Sequence, residues 1–291
     1  NAQKLVEDVV KVANPYVDFS RYDNDGDGFV DSLFVCHSGA GAEATGATTD
    51  IWSHMWQVQN PVTVDGVTVS PYSIEPENGT IGVFCHEYGH ILGAYDLYDY
   101  GNNYAGYDSC GVGVWSVMAG GSWGADYNSE ERPSHFDPYH KILFGWIDPV
   151  VPKAGETGVS LPAVQGSPTV YKLWKKGWEG KEYFLVENRQ KRGFDARLLG
   201  AGLLIWHVEE SRFEYSYNDA EWFPGMDPKD HYGVAVEQAD ARWDLEHNFN
   251  VGDAGDPFPG TAGNRAFTFG TTPGSNSYVN GPSGVQITGI S

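Results

Sequence analysis

The chain has 291 residues, 41% hydrophobic and 14% aromatic, which suits one large domain or two intimate ones and excludes a fully disordered chain. Acidic residues outnumber basic ones 39 to 18, a formal charge of −21, and this sets nucleic-acid binding aside because phosphate contact needs clustered Lys and Arg. Three cysteines exclude a disulfide scaffold and a Cys-rich metal site, and no apolar run approaches the roughly 20 residues of a membrane span.

Ala2 to Ala13 reads as a helix, with Leu5, Val6, Val9, Val10 and Ala13 on one core-facing stripe. Asn14-Pro15 stops it. Next comes Asp23-Asn-Asp25-Gly-Asp27-Gly-Phe29-Val-Asp31, with carboxylates at alternate positions and glycine at the sixth place. That is the opening of an EF-hand-like calcium loop, in which Asp23, Asp25, Asp27 and Asp31 supply side-chain oxygens and Phe29 its carbonyl. Phe34 stands where the closing Glu would be, so the loop is expected outside a true helix–loop–helix pair. Leu33 to Cys36 is expected as a buried strand. His54 reads as a packed, hydrogen-bonded histidine in preference to a polar group near a cleft. Val62, Val64, Val67 and Val69 flank Asp65-Gly66, a two-residue hairpin signal. Tyr72 to Glu75 is expected as a further strand, either a plain edge or one that an extended peptide joins by strand addition.

The stretch Ile81 to Asp99 carries His86, Glu87 and His90 in the order H-E-x-x-H. Residues four apart on a helix share a face, so the two imidazoles can address one metal ion, with Glu87 beside them placed to hold water. Gly93 can end the helix in the left-handed conformation and let the chain bring Asp96 back as a third ligand. Two imidazoles, one carboxylate and an open fourth position describe a catalytic zinc site. Asp99 is a candidate supporting or calcium-binding carboxylate. Cys36, Cys85 and Cys110 allow one bridge, Cys85–Cys110, or three free thiols. After a Gly- and Asn-rich loop comes Trp115-Ser-Val-Met118-Ala-Gly120-Gly121, a tight turn resembling the methionine turn of metzincin proteases. Asp137-Pro138 then supplies an N-cap and a first-turn proline for a helix running to Trp146, with Ile142, Leu143 and Trp146 on its buried side.

The character changes at about residue 150. Strand patterns dominate beyond it, best at Tyr183 to Glu187, Leu203 to Val208 and Val234 to Glu237. The expected division is a catalytic domain over 1–150 and a β-rich domain over 151–291. Asp240, Asp244, Asp253 and Asp256 gather near Asn248 and Asn250, a second candidate calcium site whose spacing matches no standard loop.

These motifs together resemble the immune inhibitor A family of secreted bacterial metalloproteases. The resemblance runs through Y-V-D-F-S-R-Y-D-N-D-G-D-G-F-V-D from Tyr16 and D-I-W-S-H from Asp50. It continues through H-E-Y-G-H-I-L-G-A-Y-D-L-Y-D from His86, W-S-V-M-A-G-G-S-W from Trp115, G-L-L-I-W-H-V-E-E from Gly202 and G-D-A-G-D-P-F-P-G from Gly252. It implies an α+β fold: a zincin or metzincin-like catalytic domain with a mixed sheet and an active-site helix, followed by a β-rich subdomain. Zinc ligands map to His86, His90 and Asp96, the acid/base to Glu87 and the methionine turn to Met118. It also implies a secreted precursor, stabilised by calcium. The chain begins later than related proteins, so N-terminal strands are expected to be missing and the sheet to be completed by a segment cleaved or left out.

The function expected is a zinc-dependent, calcium-stabilised endopeptidase acting on protein or peptide substrates as a secreted monomer. Two rivals come from other classes. One is a calcium-dependent adhesive module with a vestigial zinc site, against which the intact Glu87 argues. The other is a zinc hydrolase of non-peptide substrates, with some of the 10 tryptophans binding sugars.

Overall fold

The computed structural model describes residues 1–100, 109–174, 180–214, 218 and 222–291. Most of the Gly- and Asn-rich loop expected before Trp115 lies outside them. The fold is α+β, and the chain divides into two compact units, Asn1–Ala94 and Tyr95–Ser291. Residue 150, where the composition changes, falls inside the second unit, and Val150 there bridges to Tyr171.

The first unit holds α1 (Ala2–Ala13), β1 (Phe34–His37), α2 (Ala42–Thr45), β2 (His54–Val64), β3 (Val67–Pro76) and α3 (Ile81–Ile91). Asp65 and Gly66 both take positive φ, 52° and 86°, so the β2–β3 turn twists with its strands. The sheet order is β1-β3-β2, with β1 parallel and β2 antiparallel to β3. The sheet is therefore mixed, and β3 is its centre. This corrects the expectation that Tyr72 to Glu75 forms an edge: β1 arrives from before the hairpin and covers the open side. All four residues from Tyr72 to Glu75 are fully buried.

The buried face of α1 also differs from the expected stripe. Val6 and Val10 are buried, but Leu5 and Val9 stand 38% and 36% exposed. The cause is polar. Between Gln57 and Val62 the β2 ladder slips, and the freed Asn60 N–H donates to Glu7 Oε1 at 2.9 Å. Glu7 is drawn inward and turns the helix with it. Val10 packs with Phe19, Val30, Val62, Val67 and Val69, and Val6 with Val35, Val58, Tyr72 and Ile74. Burial of each such side chain is worth about 1.5–3 kcal/mol.

The second unit is built on an antiparallel sheet of β4 (Tyr171–Leu173), β5 (Glu182–Arg189), β6 (Gly202–Glu209) and β7 (Val234–Val236), in that order. Nearly every β5 residue is buried. One face packs Phe184, Val186 and Ile205 against Phe258, Phe267, Val285 and Ile290 from the C-terminal segment. Two small strand pairs complete that segment: β8 (Ala266–Phe267) with β11 (Ile287–Thr288), and β9 (Asn276–Ser277) with β10 (Gly281–Pro282).

Helix α4 (Pro138–Leu143) begins as its sequence predicts, with Asp137 accepting from the His140 N–H at 2.9 Å. Its buried side does not match. Leu143 and Trp146 are about half exposed, while Tyr139, His140 and Lys141 are buried. Each of the two ionisable residues has a buried acidic neighbour. His140 Nδ1 lies 2.8 Å from Asp137 Oδ2, and Lys141 Nζ lies 3.6 Å from Glu187 Oε2. Hydrophobic spacing alone cannot register such partners. Among the described residues, no helix is long and apolar enough to cross a membrane.

Candidate active site

Helix α3 places His86 and His90 one turn apart, their ring centroids 4.9 Å apart and nearly perpendicular. His90 Nδ1 lies 2.9 Å from the Ala94 carbonyl. A carbonyl only accepts, so Nδ1 carries the proton. The helix ends as the sequence predicts. Gly93 takes φ 97°, and the Gly93 and Ala94 N–H groups donate back to His90 and Gly89 at 3.0 and 2.9 Å. The reversal brings Asp96 close. His86, His90 and Asp96 each offer one ligand atom, all within 4.8 Å of one another. Ligands at about 2.0–2.1 Å from a tetrahedral ion fit that spread, and the nitrogen and oxygen donors fit zinc.

The surroundings of Asp96 are ordered on both sides. The Tyr100 hydroxyl donates to Asp96 Oδ2. Asp99 Oδ2 accepts from the Ser109 N–H at 2.9 Å. Met118 is fully buried, and its carbonyl accepts from the Leu97 N–H at 2.8 Å. The Met118 turn needs glycine at Gly121, because a side chain there would meet the Ser116 carbonyl at 2.4 Å.

Glu87 is buried on the same turn of α3 as His86. Sequence reasoning missed a second carboxyl near it. Glu75, fully buried on β3, is pushed up to about 8 by burial, with the charges of Glu87 and Glu43 adding to the effect. Nothing in the local sequence marks Glu75, because its strand partner comes from β1. His54 is hydrogen-bonded at both ring nitrogens, to the Trp52 carbonyl at 2.7 Å and the Tyr72 hydroxyl at 2.9 Å.

Of the first acidic set, Asp23, Asp25 and Asp27 converge within 4.8 Å. Asp23 accepts from the Gly26, Asp27 and Gly28 N–H groups at 2.8–3.1 Å. Asp31 is directed to Asn24, whose backbone N–H lies 3.3 Å away, and the Phe29 N–H donates to Asp27 at 2.8 Å. Of the second set, Asp240, Asp244 and Asp253 converge, and Asn250 Nδ2 spans Asp244 and Asp253 at 3.2 and 3.0 Å. Asp256 is engaged elsewhere, by Trp115 Nε1 at 2.8 Å and the Asp253 N–H at 2.9 Å, and burial pushes its carboxyl up to about 7. All three cysteines are free thiols. Cys110 donates to Asn248 at 3.0 Å and is pushed up to about 11, chiefly by burial.

Residues 8–145 match the immune inhibitor A peptidase M6 catalytic domain. That segment, just under half of the chain, is similar to the immune inhibitor A peptidases. Immune inhibitor A of Bacillus thuringiensis subsp. alesti is 36% identical over 169 residues, covering 48% of this chain and 24% of that relative. The Pre-pro-metalloprotease PrtV of Vibrio cholerae serotype O1 strain M66-2 is 29% identical over 171 residues, covering 48% of this chain and 18% of that relative. The match thus spans a quarter or less of the length of either relative.

Proposed function

We propose that the chain is a secreted zinc-dependent endopeptidase of metzincin-like design, with His86, His90 and Asp96 as zinc ligands and Glu87 as general base and acid. One observation carries the reading. A helix in a family catalytic domain sets two imidazoles and a reversed-chain carboxylate within 4.8 Å, with a buried Glu87 on the same turn. When bound, zinc lowers the pKa of a coordinated water towards about 7 and polarises the scissile carbonyl. Glu87 takes the water proton as attack proceeds and delivers it to the leaving amine. Burial of His86, Glu87 and Asp96 limits competing water, and Asp96 brings one negative charge to the donor set. Met118 serves as the methionine turn. Asp23, Asp25 and Asp27 on one loop, and Asp240, Asp244 and Asp253 on another, are structural calcium sites, and a β-rich region follows the catalytic domain. The word pre-pro in the Vibrio relative's name supports secretion as a precursor.

The test is digestion of an unfolded general protein substrate with calcium present, with and without a zinc-selective chelator. Chelator-sensitive cleavage is expected. Glu87→Gln is expected to keep zinc and lose about 10²–10⁴-fold in kcat, the range for a positioned acid–base group. Cleavage that survives both treatments would refute the assignment.

A further inference from the structure

We propose that His140, with Asp137 behind it, is a positioning residue for the third metal ligand, holding the backbone on one side of Asp96 while the Met118 carbonyl holds the other. The inference rests on the zinc-site reading above.

Asp96 is the ligand that lies beyond α3, so helical geometry does not place it. Its two chain neighbours are held instead. The Tyr95 N–H donates to His140 Nε2 at 3.0 Å, and the Leu97 N–H donates to the Met118 carbonyl at 2.8 Å. Nε2 accepts only when it carries no proton, so the ring proton sits on Nδ1. Nδ1 in turn faces Asp137 Oδ2 at 2.8 Å. The same carboxylate oxygen accepts from the Ser116 hydroxyl at 2.7 Å, and Ser116 Oγ accepts from the Met118 N–H at 3.1 Å. The two holds are therefore joined. Hydrogen bonds run from Tyr95 through His140, Asp137 and Ser116 to Met118 and back to Leu97, closing a ring of contacts around Asp96.

Every side chain in this ring is shielded. Asp137, His140, Ser116 and Met118 have no exposed surface. The Tyr95 ring is fixed as well, stacked at 4.4 Å on Phe213, which stacks at 5.3 Å on Tyr139. A buried Asp–His pair often serves only its own helix, and Asp137 Oδ1 does cap α4. Here the other end of the imidazole leaves α4 and reaches the residue before a ligand. Partners of this kind fix ligand orientation and support metal affinity.

The experiment is zinc affinity of the full chain, measured by competition with a chromophoric chelator, with zinc alone as the probe. Far-UV spectra establish that each variant is folded. His140→Phe keeps a ring in place beside Phe144 and removes the acceptor. Asp137→Asn keeps size and cap but turns an amide N–H towards Nδ1, which drives the ring proton to Nε2 and sets it against the Tyr95 N–H. Each is expected to weaken zinc binding by about 10–100-fold. His140→Gln places an acceptor oxygen near the old Nε2 and is expected to stay within about threefold of the parent. A packing role would favour Phe over Gln; positioning favours Gln over Phe. Parent-like affinity in a folded Phe or Asn variant, or a Phe variant that binds as well as Gln, overturns the proposal. If the parent chain itself binds no zinc, the zinc-site reading falls, and with it the need for a positioning residue.

Discussion

The last turn of α3 and the middle of β6 each present a histidine, partly buried in the first and buried in the second, and their ring partners differ in charge. His90 Nδ1 faces a neutral carbonyl at 2.9 Å. His207 spends both nitrogens on carboxylates, Glu237 at 3.0 Å and Glu182 at 3.0 Å, and its ring stacks at 3.9 Å on Tyr278. Burial opposes a charge on His207, but the hydrogen bonds and charges of the two glutamates raise its pKa above the ordinary value. The first faces a neutral acceptor at Nδ1, while the second ties β5, β6 and the C-terminal segment together through two carboxylates and a stacked ring. What a histidine does is thus decided by what its second nitrogen faces.

The strongest way to break the contrast is His90→Ala. It should strip stoichiometric zinc from the desalted protein and abolish chelator-sensitive cleavage, whereas His207→Gln should leave zinc content intact. Zinc retained by the Ala variant would mean that the lone pair of His90 is not a ligand. His207→Gln should instead cost stability. Breaking a buried ion pair costs about 3 kcal/mol, or roughly 6–12 °C of melting temperature in a unit of this size.

The pH dependence sharpens this. Because the folded pKa of His207 is raised, its contribution is full below the ordinary histidine value near 6.5 and is lost as pH rises through the folded value. The melting temperature of the parent should therefore fall towards alkaline pH by more than that of the Gln variant. Equal slopes would show that His207 is neutral in the fold. The smallest effect concerns the carboxylates of the loop at 23–31, which differ from Glu182 in accepting mostly from their own backbone. Asp23→Ala should lower the melting temperature by a few degrees, on the order of 1–2 kcal/mol, and remove any rise produced by calcium. A calcium-induced rise that persists in this variant would place the responsible ion elsewhere.

Much of this was legible wherever chemistry is local. The α1 limits, the Asp65-Gly66 turn, the end of α3 at Gly93 and the convergence of Asp96 on His86 and His90 all follow from spacing and turn preference. The parts that were not legible depend on partners distant in sequence. Which face of α1 is buried depends on one amide in the β2 slip. The central position of β3 depends on β1, more than thirty residues upstream. Leu143 and Trp146 yield the interior to His140 and Lys141 because Asp137 and Glu187 are there to receive them. Asp256 left its expected cluster because Trp115 offers a buried N–H. Glu75 and His140 carry no local motif at all.

The slip in β2 has one more consequence. An outer strand with a regular row of amides is an invitation for a second molecule to add a strand. Residues 58–61 here leave the ladder, Pro61 has no N–H to offer, the Asn60 amide is consumed by Glu7, and the Gln57 carbonyl is taken by Gln3 at 2.8 Å. The middle of this strand is a poor template, so the interruption guards a concentrated solution of the protein against strand-by-strand polymerisation.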